Sequence, residues 1–129
     1  MMLIQTITIP IYNQTINLIS GDRKECVDYL NDLYPTGGNL NINWLEKTRA
    51  ATYNINDDVW VYIDLYDVSI PILVHELSHA TFDIMNFIGL ELSDQEAFCY
   101  LQEFLLEETM KYLPIKIIHI DVDEVYEEI

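Results

Sequence analysis

Ser69-Ile-Pro-Ile-Leu-Val-His75-Glu76-Leu77-Ser78-His79-Ala-Thr-Phe-Asp83-Ile-Met-Asn-Phe-Ile-Gly89 is the stretch on which the fold turns. Ser69 is a favoured N-cap residue, and Pro71 falls in the first turn, where its missing N–H costs nothing. Gly89 suits the far end, because only glycine adopts the left-handed closing conformation freely. A helix is therefore predicted from about Ile70 to Ile88. On its wheel Leu73, Leu77, Ala80, Ile84 and Ile88 gather on one side. His75 and His79, one turn apart and ~40° from each other, share the other side. The back of this helix belongs on a core and its front on a cleft.

Reading outward from that helix, Ser93-Asp94-Gln95-Glu96 has the pattern of a capping box. It opens a third helix that runs to about Tyr112 and must end near Pro114. Upstream, Ala50 to Asn54 and Val59 to Leu65 are β-rich runs flanking the turn-forming Asn56-Asp57-Asp58, which predicts a hairpin. Leu3 to Ile19 alternates with period two, broken at Asn13-Gln14, and predicts a first hairpin. Ser20-Gly21-Asp22 offers a cap for a helix carrying Cys26, Val27, Leu30 and Leu33, stopped by Pro35 and Gly37-Gly38. Ile115 to Val122 reads as a last strand, and the acidic residues of 121–129 as a solvated tail. The stretch from Asn39 to Thr48 fits a strand and a short helix equally. The fold class is α+β, a single domain over residues 1–129 with a small, mainly antiparallel sheet and about three helices, the middle one carrying His75 to His79.

The 129 residues suit one domain, and with 50% hydrophobic residues the chain can bury a core of its own. Six Lys and Arg against 22 Asp and Glu give a formal charge of −16. A surface that acidic repels phosphate backbones and anionic lipid, so neither nucleic acid nor a membrane is an expected partner. No run approaches the ~20 apolar residues of a membrane span, and the N-terminal residues read as a strand rather than a signal peptide. Cys26 and Cys99 lack C-x-x-C spacing and both fall in predicted helices, which fits a reducing interior. The expected location is the cytoplasm.

His75-Glu-Leu-Ser-His79 is the H-E-x-x-H pattern, in which two imidazoles one turn apart can hold a divalent metal, here taken as Zn2+. Glu76, ~100° round the helix from His75, can reach an activated water as general base without being a ligand. A catalytic zinc takes three protein ligands and keeps one position open, so a third ligand is required. Glu96, at the start of the next helix, fits two His plus a Glu from a neighbouring antiparallel helix. It can also be only the capping-box partner of Ser93, and Glu91, Asp94 or His119 can replace it. Asp83, one turn beyond His79, reads as a partner that orients an imidazole. Tyr100, one turn after Glu96, can donate a hydrogen bond to a developing oxyanion, or be an ordinary packed tyrosine.

These residues carry a resemblance. His75 to His79, a short loop, and Glu96-Ala-Phe-Cys-Tyr100 opening the next helix resemble the compact gluzincin-type metallopeptidases. Nearest in style are the ImmA/IrrE group and small zinc-peptidase-like proteins encoded by phages. The resemblance spans about Val59 to Phe104 and implies a minimal zincin-like domain. It implies zinc bound by His75, His79 and Glu96, Glu76 as the base, and a peptide or protein as substrate. In such a fold the strand Val59 to Leu65 forms the upper edge of the cleft and offers backbone groups to an extended peptide. Two other functions fit the sequence: a catalytically silent, zinc-stabilised binding protein, and an acidic decoy for a basic partner.

Overall fold

A computed structural model describes residues 2–10, 12–35, 49–65, 67–91 and 93–112. Four strands, β1 (Leu3–Ile9), β2 (Gln14–Ser20), β3 (Ala50–Ile55) and β4 (Asp58–Ile63), form one sheet in the order β1-β2-β4-β3. Three helices accompany them among the described residues: α1 (Arg23–Leu33), α2 (Ile70–Phe87) and α3 (Gln95–Tyr112). The class is α+β. The expected last strand, the acidic tail, His119 and the stretch from Asn39 to Thr48 lie outside the described residues.

Both predicted hairpins form. β1 pairs antiparallel with β2, Ile7 opposite Ile16, and β3 pairs antiparallel with β4, Thr52 opposite Val61. In the second hairpin Asn56 and Asp57 have φ of 52° and 68°, so both central residues of the turn are left-handed. This conformation matches the natural twist of the flanking strands and favours Asn and Asp. The two hairpins join through a parallel β2–β4 pairing, Ile16 beside Val59, so the sheet is mixed. β4 is therefore interior. The expectation that it forms the edge of the cleft is corrected: among the described strands, the sheet edge beside α2 is β3. The uninterrupted burial of Val59 to Ile63 is the physical reason, since a strand covered on both faces cannot alternate.

Each face of the sheet has its own core. On one, Ile7, Ile16, Leu18, Val59, Val61 and Ile63 meet Leu73, Leu77, Ala80 and Ile84 of α2 and Leu101 and Leu105 of α3. On the other, Ile19, Trp60 and Tyr62 meet Cys26, Val27 and Leu30 of α1. Two polar ties sit on this side, one across the β2–β4 seam and one from α1 to the residue after β4. Ser20 donates to the Ile63 carbonyl at 2.6 Å, and Arg23 pairs with Asp64 at 2.9 Å.

Helix ends follow local chemistry. Ser69 accepts from the Ile72 N–H, and the far end of α2 closes with Gly89 at φ +76°. There the Gly89 N–H reaches the Asn86 carbonyl and the Leu90 N–H the Met85 carbonyl, the paired bonds of a Schellman ending. The predicted capping box at Ser93 is corrected by one residue. Asp94 is the cap, its Oδ1 accepting from the Ala97 N–H at 3.1 Å, while the Ser93 hydroxyl donates to Glu91 at 3.3 Å. Both residue types cap well, and the carboxylate beside the helix N-terminus has the stronger electrostatic claim.

Replacing Leu77, fully buried against the sheet, with Ala is expected to lower stability by about 2–5 kcal/mol in urea unfolding, because the cavity opens between α2 and β4. The cysteines give a second check. Burial pushes the Cys26 thiol up to about 11, while Cys99 is exposed on α3. The native protein is expected to titrate one thiol rapidly with an aromatic disulfide reagent at pH 8, and the second only after denaturation.

Candidate metal centre

Helix α2 lies with its apolar side on the sheet and turns His75 and His79 outward. Their Nε2 atoms stand 3.2 Å apart, with the rings nearly perpendicular at 80°. Two nitrogens on adjacent vertices of a tetrahedron with bonds of ~2.1 Å are about 3.4 Å apart, so this spacing fits a shared ion. Among the described residues, His75, Glu76 and His79 form the group whose ligand atoms all lie within 4.8 Å of one another. The two imidazole nitrogens are donors that zinc accepts, and a carboxylate stands beside them.

Glu76 differs from its neighbours in burial. Its side chain is 13% exposed against 68% for His75, and its Oε2 lies 3.8 Å from His75 Nε2. The other oxygen is held from the sheet: Thr52 Oγ1 is 3.1 Å from Glu76 Oε1 and 2.8 Å from the Glu76 carbonyl. One hydroxyl proton serves both, so Thr52 on the edge strand ties the helix backbone and the carboxylate to β3. Sequence reasoning missed Thr52. Its available signal was the period-two placing of Ala50, Thr52 and Asn54 on one side of β3, with small side chains that leave room for a helix.

Between β3 and α2 opens a cleft of about 520 Å3. Thr52 and Asn54 line it from the strand, and the histidines, Glu76, Phe82 and Asp83 line it from the helix. Phe82 stacks on Phe98 of α3 with centroids 4.8 Å apart. A turn away, Ser78 donates to the Val74 carbonyl at 2.7 Å and accepts from Gln102 of α3. These contacts fix α3 beside the site.

The structure does not bring every expected residue to this cleft. Glu96 is exposed on the first turn of α3, and its carboxylate lies outside the group. It stands about 160° or more round the helix from Phe98 and about 120° from Gln102, the residues that meet α2. Glu91 and Asp94 also stand outside the group, with Asp94 engaged as the helix cap. Tyr100 is 60% exposed and lines a separate apolar hollow with Ile9, Pro10, Tyr12 and Phe104. Asp83 does line the cleft, yet among the described residues it makes no hydrogen bond or ion pair with His79 or any other group. Burial pushes its carboxyl above the usual range, against a smaller opposing effect of His79.

No helix among the described residues is long and apolar enough to cross a membrane. Comparison with protein-family models, curated proteins and solved structures gives no match. The arrangement of these side chains is thus what bears on function.

Thr52→Val is expected to lower stability by about 1 kcal/mol in chemical unfolding, the usual worth of such a hydrogen bond. The same variant should keep the wild-type metal stoichiometry in equilibrium dialysis, because Thr52 touches Glu76 and neither imidazole.

Proposed function

We propose that this protein is a zinc-dependent hydrolase of peptide bonds, with His75 and His79 holding the ion and Glu76 as the general base. The observation that carries this reading is the convergence of the two Nε2 atoms at 3.2 Å beside a carboxylate anchored by the sheet. When bound, a divalent ion in such a site polarises a carbonyl and acidifies water.

What the chain itself supplies follows from the contacts. Thr52 restrains one oxygen of Glu76, leaving Oε2 on the histidine side to take a proton from water and return it to the leaving amine. β3, at the edge of the sheet and along the rim of the cleft, offers backbone groups that can align an extended peptide by strand addition. Phe82 gives that peptide an apolar wall. Glu96 lies outside the group that converges here, so no third protein ligand is assigned, and the comparison of variants tests Glu96 separately.

Zinc content and cleavage of a mixed peptide library are measured together. The wild type is expected to hold one zinc per chain and to cleave. Glu76→Gln should keep the metal and lose about 10²-fold or more in rate, the usual contribution of a positioned base. His75→Ala should lose both metal and cleavage. Glu96→Ala weakens zinc binding if Glu96 is a ligand, and leaves it unchanged if it is not. Zinc bound with no cleavage of any peptide overturns the hydrolase reading in favour of a zinc-stabilised binding protein.

A further inference from the structure

Beyond the histidines and Glu76, the cleft contains one more ionisable side chain among its described lining residues, Asp83. It stands one turn after His79 on α2, half-buried, with no hydrogen-bond or ion-pair partner among the described residues. No lysine or arginine lines the cleft among those residues. Burial pushes the Asp83 carboxyl group up, against a smaller opposing effect of His79, and a carboxylate partly stripped of water without a hydrogen bond is a standing cost. An incoming cation relieves that cost. Beside it Phe82 is 40% exposed, its ring held by the stack on Phe98, and presents an aromatic face to whatever enters.

Resting on the hydrolase reading, we infer that Asp83 is a specificity-determining residue that receives a cationic group of the substrate, an ammonium or guanidinium, with Phe82 covering the adjoining aliphatic carbons. The net charge of −16 also attracts cations, but salt screens such attraction beyond ~8–10 Å. A preference at one position of a peptide therefore requires a carboxylate inside the cleft. A role confined to orienting His79 would require a contact that the structure does not contain among the described residues, and would confer no preference among substrates.

Binding and cleavage are read separately. Binding is measured by fluorescence anisotropy on the zinc-loaded Glu76→Gln protein, alone and combined with Asp83→Asn, Asp83→Lys or Asp28→Asn. The last removes an exposed charge from α1, on the other side of the sheet. The probes are acetylated peptides that share flanking residues and differ at one central position, lysine, norleucine or glutamate, together with the norleucine peptide bearing a free N-terminus. The lysine peptide is expected to bind about tenfold tighter than its acetylated norleucine counterpart, as for a charge-assisted contact. Asp83→Asn should reduce that ratio to about twofold or less, Asp83→Lys should turn the preference toward glutamate, and Asp28→Asn should change nothing. If the free-terminus peptide also gains, in a manner lost with Asp83→Asn, the cation received includes the chain's α-ammonium. Equal binding of the lysine and norleucine peptides, or a preference that survives Asp83→Asn, overturns the assignment. Cleavage of the same peptides by the protein with Glu76 intact tests the hydrolase reading alone. Its absence leaves the anisotropy result to decide the role of Asp83.

Discussion

Everything at the candidate site depends on the way α2 is clamped. Leu73, Leu77, Ala80 and Ile84 have no solvent exposure, so the helix cannot rotate about its axis without lifting an apolar stripe off the sheet. That constraint fixes the opposite face. His75 and His79 face water because their neighbours on the wheel cannot, and their spacing makes the two nitrogens converge. Two lateral contacts complete the clamp, Thr52 from β3 on the Glu76 side and Gln102 from α3 on the Ser78 side.

The sheet beneath is built to hold such a helix steady. β4 is covered by α1 on one face and by α2 and α3 on the other, and it pairs with a strand on each side. A strand so enclosed has few ways to move. β3 is paired on one side only within the described sheet, so the cleft opens between an edge strand and the helix that the sheet holds in place. The edge strand is also where Thr52 reaches across to the carboxylate.

How much of this was legible in the sequence depends on whether the information was local. Ser69, Pro71, Gly89 and the spacing of the leucines are signals within one helix, and they placed α2 and its two faces correctly. The Asn56-Asp57 turn was equally plain. Sheet order was not, because alternation marks a strand without naming its neighbours. The unbroken apolar run Val59 to Ile63 did hold the clue that β4 is interior. Glu96 shows the limit from the other side. Its place at the start of the next helix suggested a ligand, but a few residues of helix phase decide which way a side chain faces, and Phe98 and Gln102 are the residues that meet α2. Thr52 carries no motif at all and becomes meaningful only when β3 and α2 are brought together.

The parallel pairing in the middle of the sheet divides the two halves of the site in time. Ser20 and Ile63, joined across the β2–β4 seam, are 43 residues apart in the chain, so that seam closes only after a long loop has been drawn in. Thr52 and Glu76 are separated by 24 residues and depend on the same assembly, whereas His75 and His79 are four residues apart in one helix. The imidazole pair can exist as soon as a few turns of helix do, and the restrained carboxylate only once the tertiary structure has formed. On the proposed reading, the pair that holds the ion is local in the chain, and the base that acts beside it is held by a contact between distant segments.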